Sequence, residues 1–261
     1  METLYNDYSF LEIRMLQPRN ALKPVFPYKM RGFLMEAYYK SVPSQIRSLL
    51  RGKRRDFVFQ QAMDQFLSDP AACAYPGNPV LIDLIYGWGN EAWSARDEYL
   101  AGCISHSLSS SGPILECGSG LTTLLLGIVA KSRGNSHWVL EHKPQWAKKV
   151  QKYLDRYELD TEICTMPLKD YGEFYWYDVP FHRMPGNFFL VVCDGPPSRT
   201  KGGRYGLAPI MREKLKMGCA ILLDDADRHG ELEIAKRWES ELPARYHIQG
   251  TFKPYIEMVV G

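Results

Sequence analysis

Several apolar runs in this chain end in or beside acids. Residues 113–117 (PILEC) carry Glu116 and a second run ends on Glu141. Residues 187–193 (NFFLVVC) lead into Asp194-Gly-Pro-Pro, and residues 219–223 lead into Asp224 and Asp225. Lining up so many carboxylates at one sheet edge costs electrostatic energy, so a positive ligand, a metal ion or hydroxyl donors are expected there to offset it. Between the first two acids lies the turn Gly118-Ser119-Gly120, and Glu141 stands 21 positions beyond Gly120. At that spacing an acid reaches both ribose hydroxyls of a nucleoside whose other end rests on the glycine turn. A dinucleotide pyrophosphate asks for a third glycine, where this chain has Thr123, and an anion would sit badly beside Glu116. A ligand with an amino acid end, carrying an ammonium and a sulfonium, suits carboxylates and backbone N–H groups better.

The elements that must position these residues follow from periodicity. Residues 113–117, 161–165, 187–193 and 219–223 read as short buried strands, with a further strand ending on Glu141. Helices are expected over 121–131, 145–157 with Pro144 in its first turn, 208–216 and 231–242. Residues 245–249 and 255–260 alternate as a closing strand pair. This succession makes an open α/β sheet, whose ligands bind at the carboxyl ends of its strands. Residues 167–180 read as an aromatic-rich loop that either wraps a planar ring or packs on the sheet, and 198–206 (SRTKGGRYG) as a mobile basic loop.

Upstream, short helices are expected over 30–40, 44–50 and 56–67, forming a cap behind an irregular proline-bearing arm. The RGKRR run at 51–55 either meets an anion or is a solvated helix face. The Pro, Gly and Asn density of 69–79 suggests a boundary, giving an arm and cap over 1–75 and a main domain over 76–261. Helical pieces at 80–86 and 92–107 flank a Gly-Trp-Gly-Asn break that either lines the ligand's entrance or packs a tight turn.

Composition narrows the class. The chain has 261 residues, 45% hydrophobic and 24% charged, with a net charge of +2. A full core can be buried, and nothing in the balance calls for nucleic acid. No run of about 18 apolar residues and no basic-then-apolar leader occurs, so a cytoplasmic protein without a membrane span is expected. The six scattered cysteines, with no C-x-x-C pair, read as buried thiols rather than a zinc site.

The series Glu116-Cys-Gly118-Ser-Gly120-Leu-Thr-Thr, Glu141, Asp194-Gly-Pro-Pro and Asp224-Asp225 resembles the motifs of class I S-adenosylmethionine-dependent methyltransferases, over about residues 80–261. The resemblance implies a Rossmann-like seven-stranded sheet, mostly parallel with the last strand antiparallel, and helices on both faces. It implies that Glu116, Gly118, Ser119 and Gly120 hold the methionine part of S-adenosyl-L-methionine and that Glu141 holds its ribose, with residues 168–171 near the adenine. Asp194, Asp224 and Asp225 also resemble the magnesium ligands of catechol-type O-methyltransferases, with Asp225 in the place of that family's asparagine and Pro197 in the place of its lysine.

On this reading a small-molecule or sugar hydroxyl accepts the methyl group. Asp194 and Asp225 acidify it through magnesium, and His229 or Lys201 takes its proton. The residue pattern favours reading His229 as an exposed helix start over a base. Two other classes compete: an NAD-binding oxidoreductase, disfavoured by Thr123, and a non-catalytic binding module on the same fold. No motif for a flipped base amine is present, so a nucleic acid acceptor is not expected.

Overall fold

The computed structural model describes residues 43–90 and 95–261. The expected arm and the helix over 30–40 lie outside the described residues. The chain divides into two compact units, 1–53 and 54–261, and the sheet and cleft belong to the second.

Among the described residues, three helices precede the sheet. α1 (Ser44–Ser68) is one helix where periodicity suggested two. The basic run at 51–55 continues it because Arg and Lys are good helix formers and one glycine costs only about 1 kcal/mol. α2 (Pro79–Trp88) begins on Asn78, whose side chain accepts the Val80 N–H at 2.8 Å, and stops at Gly89 in the left-handed region. α3 (Asp97–Ser109) follows. The segment over 69–79 is ordered as a 3-10 turn, Ala71–Cys73, with Cys73 buried.

The central alternation is β1 (Ile114–Cys117), α4 (Leu121–Arg133), β2 (His137–Glu141), α5 (Pro144–Arg156) and β3 (Glu162–Thr165). Next comes a small antiparallel hairpin, β4 (Leu168–Asp170) and β5 (Tyr175–Tyr177), in the stretch read as a loop. The chain continues with β6 (Phe188–Cys193), a short helix α6 (Leu207–Met211), β7 (Leu215–Leu223), α7 (His229–Glu241), β8 (Ala244–Gln249) and β9 (Tyr255–Val260). β7 starts four residues before the expected strand because a register irregularity opposite Phe188 and Leu190 accommodates Gly218 at φ +81°.

The main sheet has seven strands in the order β3-β2-β1-β6-β7-β9-β8, with β9 antiparallel to both neighbours. This is the Rossmann-like, mostly parallel sheet with helices on both faces that the sequence led us to expect. Alternation along the strands builds two cores. Ile114, Leu190, Val192 and Leu222 pack with Phe59, Met63, Leu84, Tyr99 and Leu125, while Leu115, Val191, Ile221 and Leu223 pack with Trp176, Leu207, Met211 and Trp238. Each such buried side chain contributes roughly 2 kcal/mol, so both faces carry the sheet. All six cysteines are buried free thiols.

One consequence of register matters most. Cys117 pairs with Leu140 and with Cys193, and Cys193 with Leu223, so β2, β1, β6 and β7 end level. The next residues, Gly118, Glu141, Asp194 and Asp224, therefore stand in one row. Three strand spacings of about 4.8 Å make that row about 14 Å long, which matches an extended nucleoside-sized ligand.

Candidate active site

Above this row lies a cleft of about 520 Å³, whose lining includes Trp88, Gly118 to Thr122, Glu141 to Lys143, Trp146, Tyr177, Asp194 to Ser198, Arg204, Asp224, Asp225, Arg228 and Lys253. Its floor is the glycine turn. Gly118 has φ +87°, and its N–H donates to Leu140 O at 2.8 Å. A Cβ on Gly118 would stand 3.1 Å from Gly195 N, and one on Gly195 would stand 2.8 Å from Gly118 Cα. The exits of β1 and β6 thus cross with no room for side chains. Gly120 differs: its backbone is extended, and a Cβ there would meet nothing within 4 Å. Its N–H donates to Thr123 Oγ1 at 2.9 Å, fixing the start of α4.

Glu141 ties the second strand to this turn. One carboxylate oxygen accepts Ser119 N–H at 3.1 Å and Ser119 O–H at 2.8 Å, and the other accepts Lys143 N–H at 2.7 Å. Burial opposes its charge, but His142 and these donors outweigh burial and hold its carboxyl below the usual range. Trp146 donates its indole N–H to Ser119 O at 2.7 Å and meets Trp88 edge-on at 6.3 Å, forming an aromatic wall. Glu116 is almost fully buried, with His137 Nε2 at 3.3 Å, and His137 Nδ1 lies 3.1 Å from Thr161 Oγ1. Burial raises the Glu116 carboxyl, partly countered by His137.

At the other end, Asp194, Asp224 and Asp225 converge, with one ligand-type oxygen from each within 4.8 Å of the others. Cations already lie on them. Arg204 Nη2 is 2.8 Å from Asp194 Oδ1 and 2.8 Å from Asp225 Oδ2, and Arg204 Nη1 donates to Asp224 O at 2.7 Å. Lys253 Nζ stands 3.0 Å from Asp225 Oδ1 and 3.5 Å from Asp224 Oδ2, and Arg228 Nη1 is 2.8 Å from Asp225 Oδ2. Burial opposes the Asp225 charge, but Arg204 and Lys253 overcome it and keep that carboxyl low. Asp194 keeps 27% side-chain exposure toward the cleft. Burial and the nearby Asp224 carboxylate push it up to about 8 against the pull of Arg204.

The structure gathers Glu116, Gly118, Ser119, Gly120, Glu141, Asp194, Asp224 and Asp225 around one cleft. His229 is not among them. It is the exposed first residue of α7, in keeping with the helix-start reading, and it does not line this cleft. Lys201 is likewise outside, bonded to Gly172 O. Nor is 198–206 a mobile loop, since Arg204 and Tyr205 are buried. Its glycines make room for packing: a Cβ on Gly202 would lie 2.4 Å from Phe174 Cβ and one on Gly206 2.8 Å from Trp176. Sequence reasoning missed Trp146, Arg204, Arg228 and Lys253. The surplus of acids at the strand ends was the one signal that buried cations had to be near.

No protein-family model matches the chain, and no curated protein matches its sequence. Solved structures that it resembles in fold include the SAH-bound methyltransferase PaMTH1 of Podospora anserina (13% identity, 92% of this chain and 100% of that one, TM-score 0.49). Another is an O-methyltransferase from Bacillus cereus in complex with SAH (13% identity, 87% and 96% covered, TM-score 0.48). A third is the C-terminal domain of precorrin-6Y C5,15-methyltransferase from Rhodobacter capsulatus (12% identity, 72% and 99% covered, TM-score 0.47).

Proposed function

We propose that the protein is an S-adenosylmethionine-dependent methyltransferase acting on a hydroxyl of a small molecule or sugar. The observation that carries this reading is the level row of Gly118, Glu141, Asp194 and Asp224 along one cleft, with open space above Gly120. Bound there, the cofactor supplies a methyl group on a sulfonium. The amino end of α4 receives its carboxylate, the missing Cβ of Gly120 leaves room for the methionine part beside Ser119, and Glu116 faces its ammonium. Glu141, anchored by Ser119 and Lys143 with His142 Nδ1 3.3 Å from one oxygen, lines the cleft beside the glycine turn, where it accepts a ribose hydroxyl. Residues 168–171 belong near the adenine.

Asp194 is the residue we assign to the acceptor. The acceptor oxygen forms its bond to the methyl carbon as the carbon–sulfur bond breaks toward sulfur, and Asp194 takes the hydroxyl proton. Asp225, held by three cations, orients Arg204 and, through it, Asp194. The magnesium that the resemblance offered is not used in this scheme, because Arg204 stands between its ligands.

The test is formation of S-adenosylhomocysteine from S-adenosylmethionine with a panel of hydroxyl-bearing acceptors. Asp194→Asn is expected to lower kcat by about 10²- to 10⁴-fold while leaving S-adenosylhomocysteine affinity unchanged. With the Asp194 carboxyl raised to about 8, the base is lost as the pH falls through that value, so the rate should rise with pH and level off above it. An unchanged kcat in the variant would remove Asp194 from the chemistry, and no turnover on any acceptor would favour a binding module.

A further inference from the structure

The aspartate cluster has the composition of a divalent-metal site and the wiring of something else. Magnesium needs oxygens at about 2.1 Å in near-octahedral array and keeps several waters. The point between Asp194 Oδ1 and Asp225 Oδ2 is instead occupied by Arg204 Nη2, 2.8 Å from each. That guanidinium does not depend on the carboxylates alone. It also donates to the main-chain oxygens of Asp224 at 2.7 Å and Asp194 at 3.2 Å, and its side chain is only 3% exposed. An ion entering the cluster would meet a buried cation anchored to the backbone, with no solvent to receive it. Two further oxygens are covered from a different element: Lys253 Nζ spans Asp224 Oδ2 and Asp225 Oδ1.

Lys253 is itself held in place. Glu98 on α3 accepts the backbone N–H groups of Thr251, Phe252 and Lys253 at 2.8, 3.0 and 3.0 Å, so the loop between β8 and β9 is clamped with its lysine over the aspartates. Arg228 adds a third cation from the start of α7. Three aspartates, with Glu231 Oε1 a further 3.9 Å from Arg204 Nη1, are thus met by three protein cations drawn from three separate segments, so the carboxylates already have protein counter-ions.

We infer that Arg204 and Lys253 are resident counter-ions in the position a catalytic divalent ion would take, and that this centre neither needs nor binds such an ion. The inference deepens the proposed function by assigning it to metal-independent methyl transfer. Its test does not require cofactor or turnover, so the two can fail separately.

Purified full-length protein, stripped with a chelator, is titrated calorimetrically with Mn²⁺ and with Mg²⁺, and its Tm is measured with and without each ion. The wild type is expected to show no saturable heat at millimolar ion and no rise in Tm. Lys253→Met is expected to bind Mn²⁺ at least tenfold more tightly than wild type, because two carboxylates lose their ammonium. Arg228→Gln, which empties a half-exposed position rather than a buried one, is expected to move the same way and serves if Lys253→Met fails to fold. Ion binding by the wild type that Asp194→Asn or Asp224→Asn abolishes would overturn the inference, as would equal Mn²⁺ affinity in wild type and a folded Lys253→Met. Binding that both aspartate variants retain would lie elsewhere on the protein and leave the inference standing.

Discussion

Two glycines two positions apart show how residue-scale geometry separates fold from function. Gly118 is demanded by the protein itself, through a positive φ and a backbone crossing with Gly195. Gly120 is not: its φ suits any residue, and its missing Cβ leaves space that nothing in the chain fills. Gly118→Ala is therefore expected to cost about 2 kcal/mol of stability, as strained left-handed positions do. Gly120→Ala should stay within about 0.5 kcal/mol of wild type, yet weaken S-adenosylhomocysteine binding at least tenfold. Denaturant melts paired with calorimetry distinguish the two, and equal binding by Gly120→Ala and wild type would mean that no ligand approaches this turn. At this scale the acids were legible because each ends a continuous apolar run. Their partners were not. Arg204 and Lys253 sit in a Gly-rich stretch and a hairpin loop with no periodicity, and only tertiary packing brings them to the row.

At the scale of elements, the β8–β9 hairpin is where local and distant sequence meet. Its loop would carry three adjacent N–H groups to solvent, and instead a single carboxylate from α3 collects them. Burial opposes the charge of Glu98, but these hydrogen bonds hold its carboxyl below the usual range. Glu98→Gln is expected to destabilise the protein by about 2 kcal/mol at neutral pH, since hydrogen bonds to a charged acceptor are lost and an amide N–H₂ opposes the loop. A group whose folded pKa is depressed contributes above its unfolded value of about 4.3 and ceases to contribute as the pH drops through the folded one. The Tm difference between variant and wild type should therefore shrink in acid; a constant difference would assign the effect to packing alone. The strands and most helices were legible from apolar runs and caps. α1 was read as two helices because a basic run with glycine resembles a break, and β4–β5 was missed because three-residue strands rich in aromatics have too little length for alternation to register. The stretch over 198–206 was misread for a physical reason: glycine allows either mobility or close packing, and here Phe174 and Trp176 press on it.

Across the whole molecule, the strand order, the level ends of four strands and the two cores serve one result, a row of polar groups at the mouth of a rigid sheet. No helix among the described residues is long and apolar enough to cross a membrane. The open α/β sheet and a cleft at its strand ends were legible because strand–helix alternation permits few topologies. The acceptor was not, since no motif in the chain names it. The central claim is that this row binds S-adenosylmethionine through Glu141, and calorimetric titration with S-adenosylhomocysteine tests it most directly, with Glu141→Ala and NAD run in parallel. The account predicts micromolar binding by the wild type, at least a tenfold loss in Glu141→Ala, and no binding of NAD. Absence of S-adenosylhomocysteine binding in the folded wild type, or NAD binding that Glu141→Ala abolishes, would contradict it.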